Sequence, residues 1–190
     1  MLKQYPLFYI TRVGRFPRSS LLAIFTKITH FINTISLPRK KRWFFYHDAS
    51  LFRDGSIGIG VVAGYKNHKN QKGLHGKLKY CFRVLPSKAN SSIIGEYIGL
   101  LKAMEIAKTL KLNHLPINFC GDNAACMKGI TKEFNMKKGK QGYEFMQLGY
   151  KYKVQFPKAK FHWVPRELNE EADKLSRVVA NVIDINKFYD

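Results

Sequence analysis

The sequence predicts an α/β domain in which a mixed β-sheet is flanked by helices. Two observations support this prediction. Three strand-like segments follow one another between residues 43 and 85, which is typical of an antiparallel meander. Beyond residue 90, segments with apolar residues at helical spacing alternate with short apolar strands, which is typical of βαβ crossovers. Together they predict a five-stranded mixed sheet, with three antiparallel and two parallel strands.

The antiparallel part is predicted from its strands and turns. Residues 43–47 form the first strand candidate, which ends in Asp48, Ala49 and Ser50. An Asp-Gly pair at positions 54 and 55 then provides a turn before the Gly-punctuated apolar strand of residues 57–65. A polar loop leads to a third strand over residues 77–85.

The crossovers follow in chain order. Asn90, Ser91 and Ser92 offer an N-cap for a helix that we expect to reach about Leu112. Next come a strand at 116–120, helices at 123–130 and 143–152, a strand at 158–164, and a last helix that begins near Asn169. Leu175 and Val178 are expected to be the inward-facing residues of that helix.

Residues 1–42 differ in composition from the domain predicted for residues 43–190. They contain nine Lys and Arg residues and no acid, which leaves +11 of the net charge for the rest of the chain. Such a composition fits a transit peptide or a nucleic-acid- or partner-binding arm. Apolar residues at helical spacing also fit a helix packed on the domain: Leu21, Leu22, Phe25, Ile28 and Ile32. We expect an intracellular protein, mitochondrial or in another organelle if this segment is a transit peptide and cytoplasmic otherwise.

Charge and cysteine content restrict the class of partner. The 33 Lys and Arg residues against 13 acids give a net charge of +20, which favours nucleic acid first and an anionic membrane surface second. Three cysteines without CxxC spacing argue against a disulfide framework and a structural zinc site. No apolar run approaches the length of a transmembrane helix. We expect a monomeric domain.

Four acids occupy positions that a mixed sheet can bring together. They are Asp48 after the first strand, Glu96 in the first turns of the long helix, Asp122 after the fourth strand, and Asp173 near the start of the last helix. Carboxylates so close repel one another unless a cation neutralises them. Hard oxygen ligands imply Mg²⁺ or Mn²⁺ rather than zinc. Two such ions about 4 Å apart can activate a water and stabilise the leaving oxygen in phosphodiester cleavage.

Each of these acids taken alone also fits a structural role. Asp48 suits a turn, Asp122 suits a helix N-cap, and Glu96 and Asp173 suit the positive end of a helix dipole. Four such placements in so basic a protein favour the metal site over four independent caps.

Four segments carry a resemblance to a known family. They read Tyr-His-Asp-Ala-Ser at 46–50, Gly-Glu-Tyr-Ile-Gly-Leu-Leu-Lys-Ala-Met at 95–104, Phe-Cys-Gly-Asp-Asn at 119–123 and His-Trp-Val-Pro-Arg-Glu-Leu-Asn-Glu-Glu-Ala-Asp at 162–173. The last segment is the most diagnostic, because the family pattern there is His-Val-Pro-Arg-Glu-x-Asn-x-x-Ala-Asp. Over roughly residues 43–185 the chain resembles the type 1 ribonuclease H family, closest to its compact reverse-transcriptase-like or retroelement-like branch.

The resemblance implies an RNase H-like fold and a two-metal endoribonuclease that hydrolyses the RNA strand of RNA–DNA hybrids. It places Asp48, Glu96, Asp122 and Asp173 at the four metal-binding and catalytic carboxylate positions, with two Mg²⁺ or Mn²⁺ ions as cofactors. Ser50 and Asn123 would contact nucleic acid. The basic stretch at 131–141 would grip the hybrid through phosphate contacts from Lys137, Lys138 and Lys140, although a solvated loop explains it equally well.

The chain departs from the family pattern at three places. Ala49 replaces a usual Gly, and Asn123 replaces a usual Ser. The loop before Asp173 is short and lacks the His that many relatives carry there. Arg166 is a candidate substitute for that His, whereas His162 fits a strand histidine better than a catalytic one.

A second function from a different class also fits the composition. The charge of +20 and the basic N-terminal segment suit a non-catalytic RNase H-like module in a ribonucleoprotein or ribosome-like assembly. Degenerate modules of that kind usually lose carboxylates, and all four are present in this sequence. The sequence therefore favours the enzyme.

Overall fold

A computed structural model describes residues 41–67, 73–87, 90–134 and 136–178, together with the backbone of residues 182–183. The predictions made for residues 1–40 lie outside the described residues.

The described residues form six strands and four α-helices, which differ from the predicted elements mainly at their ends. The strands are β1 (Arg42–Leu51), β2 (Ile57–Lys66), β3 (His75–Val84), β4 (Ile117–Gly121), β5 (Ala159–Trp163) and β6 (Val182–Ile183). The helices are α1 (Ser92–Thr109), α2 (Ala124–Thr131), α3 (Tyr143–Lys153) and α4 (Glu170–Ser176). A short 3-10 helix (Arg166–Leu168) stands between β5 and α4. Among the described helices, none combines the length and the apolar sequence needed to cross a membrane.

The sheet has the strand order β5-β4-β1-β2-β3-β6. β1, β2 and β3 pair antiparallel, and β4 and β5 continue the sheet in parallel to β1. This confirms the predicted five-stranded mixed sheet, to which the two-residue β6 adds a parallel partner for β3. β1 and β4 are neighbours at the centre, with Tyr46 opposite Cys120 as the last paired residues.

Glycines on β2 let a helix lie directly on the sheet. Gly58 and Gly60 face α4, because a Cβ at Gly60 would collide with the carbonyl oxygen of Ala172 and one at Gly58 with that of Ser176. The residues that alternate with these glycines along β2 face the opposite side of the sheet, where Ile57 lies against α1. β2 is therefore buried on both faces over most of its length, as its apolar sequence predicts.

The core lies mainly between the sheet and α1. Ser91 caps α1, its hydroxyl accepting a hydrogen bond from the Ile94 amide, as the sequence predicts for this segment. α1 packs against β1, β2, β4 and the helices α2 and α3, so twelve of its eighteen residues are buried. Phe119 of β4 joins this core to the sheet edge by stacking on Phe161 with ring centroids 5.3 Å apart.

Candidate metal centre

β1 and β4 deliver two of the predicted carboxylates to the same edge of the sheet. Asp48 and Asp122 each stand two residues beyond the last paired position, which joins Tyr46 to Cys120. Parallel neighbouring strands place their carboxyl ends side by side, and ligand sites favour this position in α/β sheets. The sequence-based expectation that these two side chains would meet here is confirmed.

Glu96 joins this pair from α1. One oxygen of each of Asp48, Glu96 and Asp122 lies within 4.8 Å of the other two. Asp48 is only 5% exposed and Glu96 only 6% exposed, so water solvates their charges poorly. The open side of the cluster is a pocket lined by Asp48, Ala49, Ser50, Glu96, Asp122, Asn123, Arg166 and Asp173.

Burial and mutual repulsion disfavour three charged carboxylates in this cluster. Burial, together with the charges of Asp122 and Asp173, raises the pKa of Asp48 to about 6, against a smaller opposing effect of a hydrogen bond from Ser176. Burial and the charges of Asp48 and Asp122 also raise the pKa of Glu96 well above its ordinary value. A bound cation would oppose both effects, because a nearby positive charge favours the ionised form of a carboxyl group.

The donor set fits a hard divalent cation. The buried oxygen Oε2 of Glu96 accepts no hydrogen bond from any described residue. A buried acceptor without a partner is costly, and a metal ion would satisfy it. Carboxylate oxygens alone suit Mg²⁺ or Mn²⁺ better than zinc.

Asp173 lines the same pocket but stands apart from the three-carboxylate cluster. Its Oδ1 accepts hydrogen bonds of 2.7 Å from both Arg166 and Arg177. Arg166 lies in the 3-10 helix before α4, whereas Arg177 follows Asp173 at the i,i+4 spacing that helical ion pairs use. Two arginine side chains therefore hold Asp173, the fourth predicted carboxylate, beside the cluster.

Ser176 positions Asp48, and the sequence did not reveal this role. Its hydroxyl lies 2.8 Å from Oδ2 of Asp48 and 2.7 Å from the hydroxyl of Ser50. Gly60 pairs with Asp48 and Gly58 with Ser50 across the two strands. Because both glycines lack a side chain, α4 comes close enough for this contact.

The close approach also corrects a prediction about α4. Leu175 is only partly buried and Val178 is 38% exposed, so neither forms the inward face that was expected. Ala172 and Ser176 are buried instead, each fully shielded from solvent. A helix that rests on glycine backbone has room beneath it for small side chains only.

His47 stands behind the cluster and is completely buried. Its Nδ1 lies 3.9 Å from Oε2 of Glu96, and neither ring nitrogen has a hydrogen-bond partner among the described residues. Burial lowers the pKa of His47 to about 3, so the ring is neutral at ordinary pH. Gly99 and Gly121 flank the ring, and a Cβ at Gly121 would lie 2.7 Å from it.

The most diagnostic sequence segment, residues 162–173, also contacts the main chain of β1. The buried side-chain amide of Asn169 donates a hydrogen bond of 2.9 Å to the carbonyl oxygen of His47. The segment therefore fixes the backbone next to Asp48 in addition to supplying Asp173.

The residues predicted to bind nucleic acid fall into two groups. Ser50, Asn123 and Arg166 line the pocket, and Asn123 also caps α2 by accepting a hydrogen bond from the Cys126 amide. The second group, Lys137, Lys138 and Lys140, is exposed in the connection between α2 and α3 and does not line the pocket.

His162 lies in β5, as the sequence predicts. Its Nε2 is 2.9 Å from Oδ1 of the buried Asn118 in β4. It does not line the pocket. The histidine is thus a strand residue in contact with the neighbouring strand.

Trp163 contacts a residue of the site without lining the pocket, and the sequence did not single it out. It ends β5 opposite Gly121, and its indole N–H donates a hydrogen bond of 2.9 Å to the carbonyl oxygen of Asp122. The only sequence signal for it is its place directly before the Val-Pro-Arg-Glu segment, where the family pattern has a His.

Comparison with known proteins agrees with this architecture. The sequence model of the family described as reverse transcriptase-like matches residues 65–179, a range that includes Glu96, Asp122 and Asp173 but not Asp48. No curated protein sequence matches the chain significantly.

Several solved structures share the fold. The N-terminal RNase H domain of a Mycobacterium tuberculosis protein, solved as a fusion with maltose binding protein, is 20% identical with a TM-score of 0.56 over 72% of this chain and 91% of its own. RNase H1 from the halophilic archaeon Halobacterium salinarum is 20% identical with a TM-score of 0.56 over 71% and 94%. The compost-derived LC11-RNase H1 in complex with an RNA/DNA hybrid is 20% identical with a TM-score of 0.54 over 70% and 92%.

The acidic cluster is compatible with a catalytic site, and the sheet order, the matched range and the similar structures agree on one fold. The chain belongs to the reverse transcriptase-like family and has an RNase H-like fold.

Proposed function

We propose that this protein is a metal-dependent endoribonuclease that hydrolyses the RNA strand of RNA–DNA hybrids. The observation that carries the proposal is the cluster of Asp48, Glu96 and Asp122, whose oxygens lie within 4.8 Å of one another in a pocket that Asp173 also lines. A similar structure, LC11-RNase H1, was solved with an RNA/DNA hybrid, and this supports the choice of substrate.

Each group at the site has a role in the proposed reaction. Asp48, Glu96, Asp122 and Asp173 would hold two Mg²⁺ or Mn²⁺ ions, which supply a deprotonated water and neutralise charge on the phosphate. Ser176 holds Asp48 in place through its hydroxyl, so one carboxylate oxygen is oriented before any ion binds.

Arg166 is the candidate for contact with the phosphate. Its side chain is 67% exposed at the pocket and bonded to Asp173. A guanidinium matches the geometry of a phosphate, so substrate would draw it away from Asp173 and leave Arg177 as the remaining partner of that carboxylate oxygen among the described residues. The same exchange makes Arg166 the substitute for the His that the short loop lacks.

The basic connection between α2 and α3 would add affinity without sequence preference. Lys137, Lys138 and Lys140 are exposed and have no carboxylate partner among the described residues. Lysines of this kind bind phosphates as point charges, and such contacts are sensitive to salt. Ser50 and Asn123 line the pocket and would contact the nucleotide at the cleavage point.

Hydrolysis of a labelled RNA–DNA hybrid in Mg²⁺ tests the proposal. We expect the wild type to cut the RNA strand and Asp48→Asn and Asp122→Asn to lose that activity. Asp54→Asn is the matched control, since Asp54 is an exposed acid paired with Arg83 outside the pocket. Equal activity in the wild type and both pocket variants would refute the proposal. Cleavage of RNA duplex or DNA duplex at the same rate would refute the hybrid specificity.

The net charge of +20 keeps a second function in view. In that alternative the domain is a structural component of a ribonucleoprotein assembly. Co-sedimentation with RNA particles that survives high salt, without any hybrid cleavage, would favour it over the enzyme.

Residues 1–42 are proposed to be a transit peptide or a binding arm, and the two differ in fate. N-terminal sequencing of the mature protein distinguishes them. Loss of the segment would support an organelle location, whereas Met1 or Leu2 at the mature N-terminus would exclude a cleaved presequence.

A further inference from the structure

One large aromatic side chain stands exposed next to the main chain of Asp122, a residue of the carboxylate cluster. The chain has two tryptophans, of which Trp43 is fully buried and Trp163 is 53% exposed. Trp163 ends β5, opposite Gly121, one residue before Asp122 in the neighbouring strand. Trp163 is not among the residues that line the pocket, yet it contacts Asp122, which is. A half-exposed aromatic ring next to a ligand site offers a large rigid surface on which a ligand can pack.

The indole is held in place by its own polar group. Its N–H donates a hydrogen bond of 2.9 Å to the carbonyl oxygen of Asp122. The hydrogen bond satisfies the donor and leaves the apolar ring surface as the part that faces solvent. A side chain that is already oriented loses less conformational entropy when a ligand packs on it.

The position of the ring selects the part of the substrate that it can reach. The hydrogen bond ties the ring to the main chain of Asp122, so the part of a bound hybrid that it could reach is a group adjoining a phosphate held at the cluster. The bases of an intact hybrid are stacked inside the duplex and cannot stack on a protein side chain. The sugars remain accessible, and their C–H groups suit an aromatic surface.

We infer that Trp163 is a substrate-contact residue whose ring packs on the ribose next to the cleaved phosphate. The inference rests on the proposed function, because it needs the hybrid to bind at the cluster.

The two tryptophans allow a direct test by fluorescence. The wild type is titrated with an RNA–DNA hybrid in EDTA, which prevents hydrolysis, while the anisotropy of a label on the hybrid follows binding independently. We expect tryptophan emission to change in proportion to binding. Trp163→Phe leaves only the buried Trp43 as a fluorophore, and we expect its emission to stay constant.

Affinity provides the second readout. Trp163→Leu removes the ring and is expected to weaken hybrid binding roughly five- to tenfold, whereas Trp163→Phe keeps a ring and stays within about twofold of the wild type. Circular dichroism and thermal melting show whether each variant is folded.

The outcomes separate this contact from the function on which it rests. Hybrid binding with unchanged emission and unchanged affinity of Trp163→Leu would overturn the contact alone. A larger emission change with single-stranded RNA than with the hybrid would overturn the ribose assignment in favour of an unpaired base. Absence of hybrid cleavage in Mg²⁺ would overturn the proposed function together with the contact.

Discussion

Replacing Asp48 by Asn should stabilise the metal-free protein at neutral pH while removing its activity. Burial is the main reason that the pKa of Asp48 stands at about 6 rather than 3.8 in the folded protein. An acid whose pKa rises on folding destabilises the folded state above that pKa, and the destabilisation disappears as the pH falls below it. The shift of about two units corresponds to about 3 kcal/mol at pH 7.5.

Asn should remove this cost with little loss of structure. The side-chain oxygen of Asn can still accept the hydrogen bond that Ser176 gives to Asp48. We therefore expect Asp48→Asn to raise the free energy of unfolding by up to about 3 kcal/mol at pH 7.5 and by about half as much at pH 5. Urea denaturation in EDTA at the two pH values measures both quantities.

Magnesium should reduce or reverse the difference in the free energy of unfolding between Asp48→Asn and the wild type. A ligand that binds only the folded state adds about 2.7 kcal/mol at one hundred times its dissociation constant. The wild type should gain this stabilisation, whereas Asp48→Asn should gain much less because it lacks one ligand.

Asp54 provides a control of opposite sign. Hydrogen bonds from Ser56 and the charge of Arg83 lower the pKa of Asp54, so Asp54→Asn should reduce stability at neutral pH. A destabilised Asp48→Asn, or a stabilisation that does not depend on pH, would refute the electrostatic reasoning.

Three further predictions concern the helix contact, the pocket arginine and the basic connection. Gly60→Ala should cost roughly 1–3 kcal/mol, because its Cβ would meet the Ala172 carbonyl oxygen. Gly149→Ala, which meets only the end of the Ile130 side chain, is the control in urea denaturation. Arg166→Gln should tighten Mn²⁺ binding by calorimetry, because a cation that competes for Asp173 is lost, and should lower kcat/KM; weaker Mn²⁺ binding would contradict this. Replacing Lys137, Lys138 and Lys140 together by Ala should make hybrid binding less sensitive to salt. The slope of log K against log salt concentration should fall in magnitude by up to about 3, and an unchanged slope would exclude these lysines as phosphate contacts.

The sequence was sufficient for the sheet and for most of the cluster. Alternating and apolar segments define the strands, and a carboxylate at the carboxyl end of a parallel strand pair has only one edge of the sheet to occupy. Asp48 and Asp122 could therefore be paired without a structure. Glu96 follows from the N-cap at Ser91, which sets where α1 begins.

The sequence was insufficient where packing depends on what a neighbouring strand lacks. The inward face of α4 is chosen by Gly58 and Gly60 on β2, and helical periodicity alone favours the larger Leu175. The hydroxyl of Ser176 and the indole of Trp163 act on carboxylate residues through contacts between segments distant in the chain. Such contacts have no local sequence signal.

The socket around His47 has a consequence for how this part of the protein can change. Gly99 and Gly121 both lie against the imidazole: a methyl group at Gly121 needs space that the ring occupies, whereas one at Gly99 would be in tight contact with it. Substitutions at these positions should therefore be epistatic: Gly121→Ala should be tolerated much better after His47 has become a smaller residue. In a laboratory evolution experiment, the order of the two substitutions would determine whether the intermediate variant remains folded. Both substitutions would also alter the packing next to Glu96, whose Oε2 lies 3.9 Å from the imidazole.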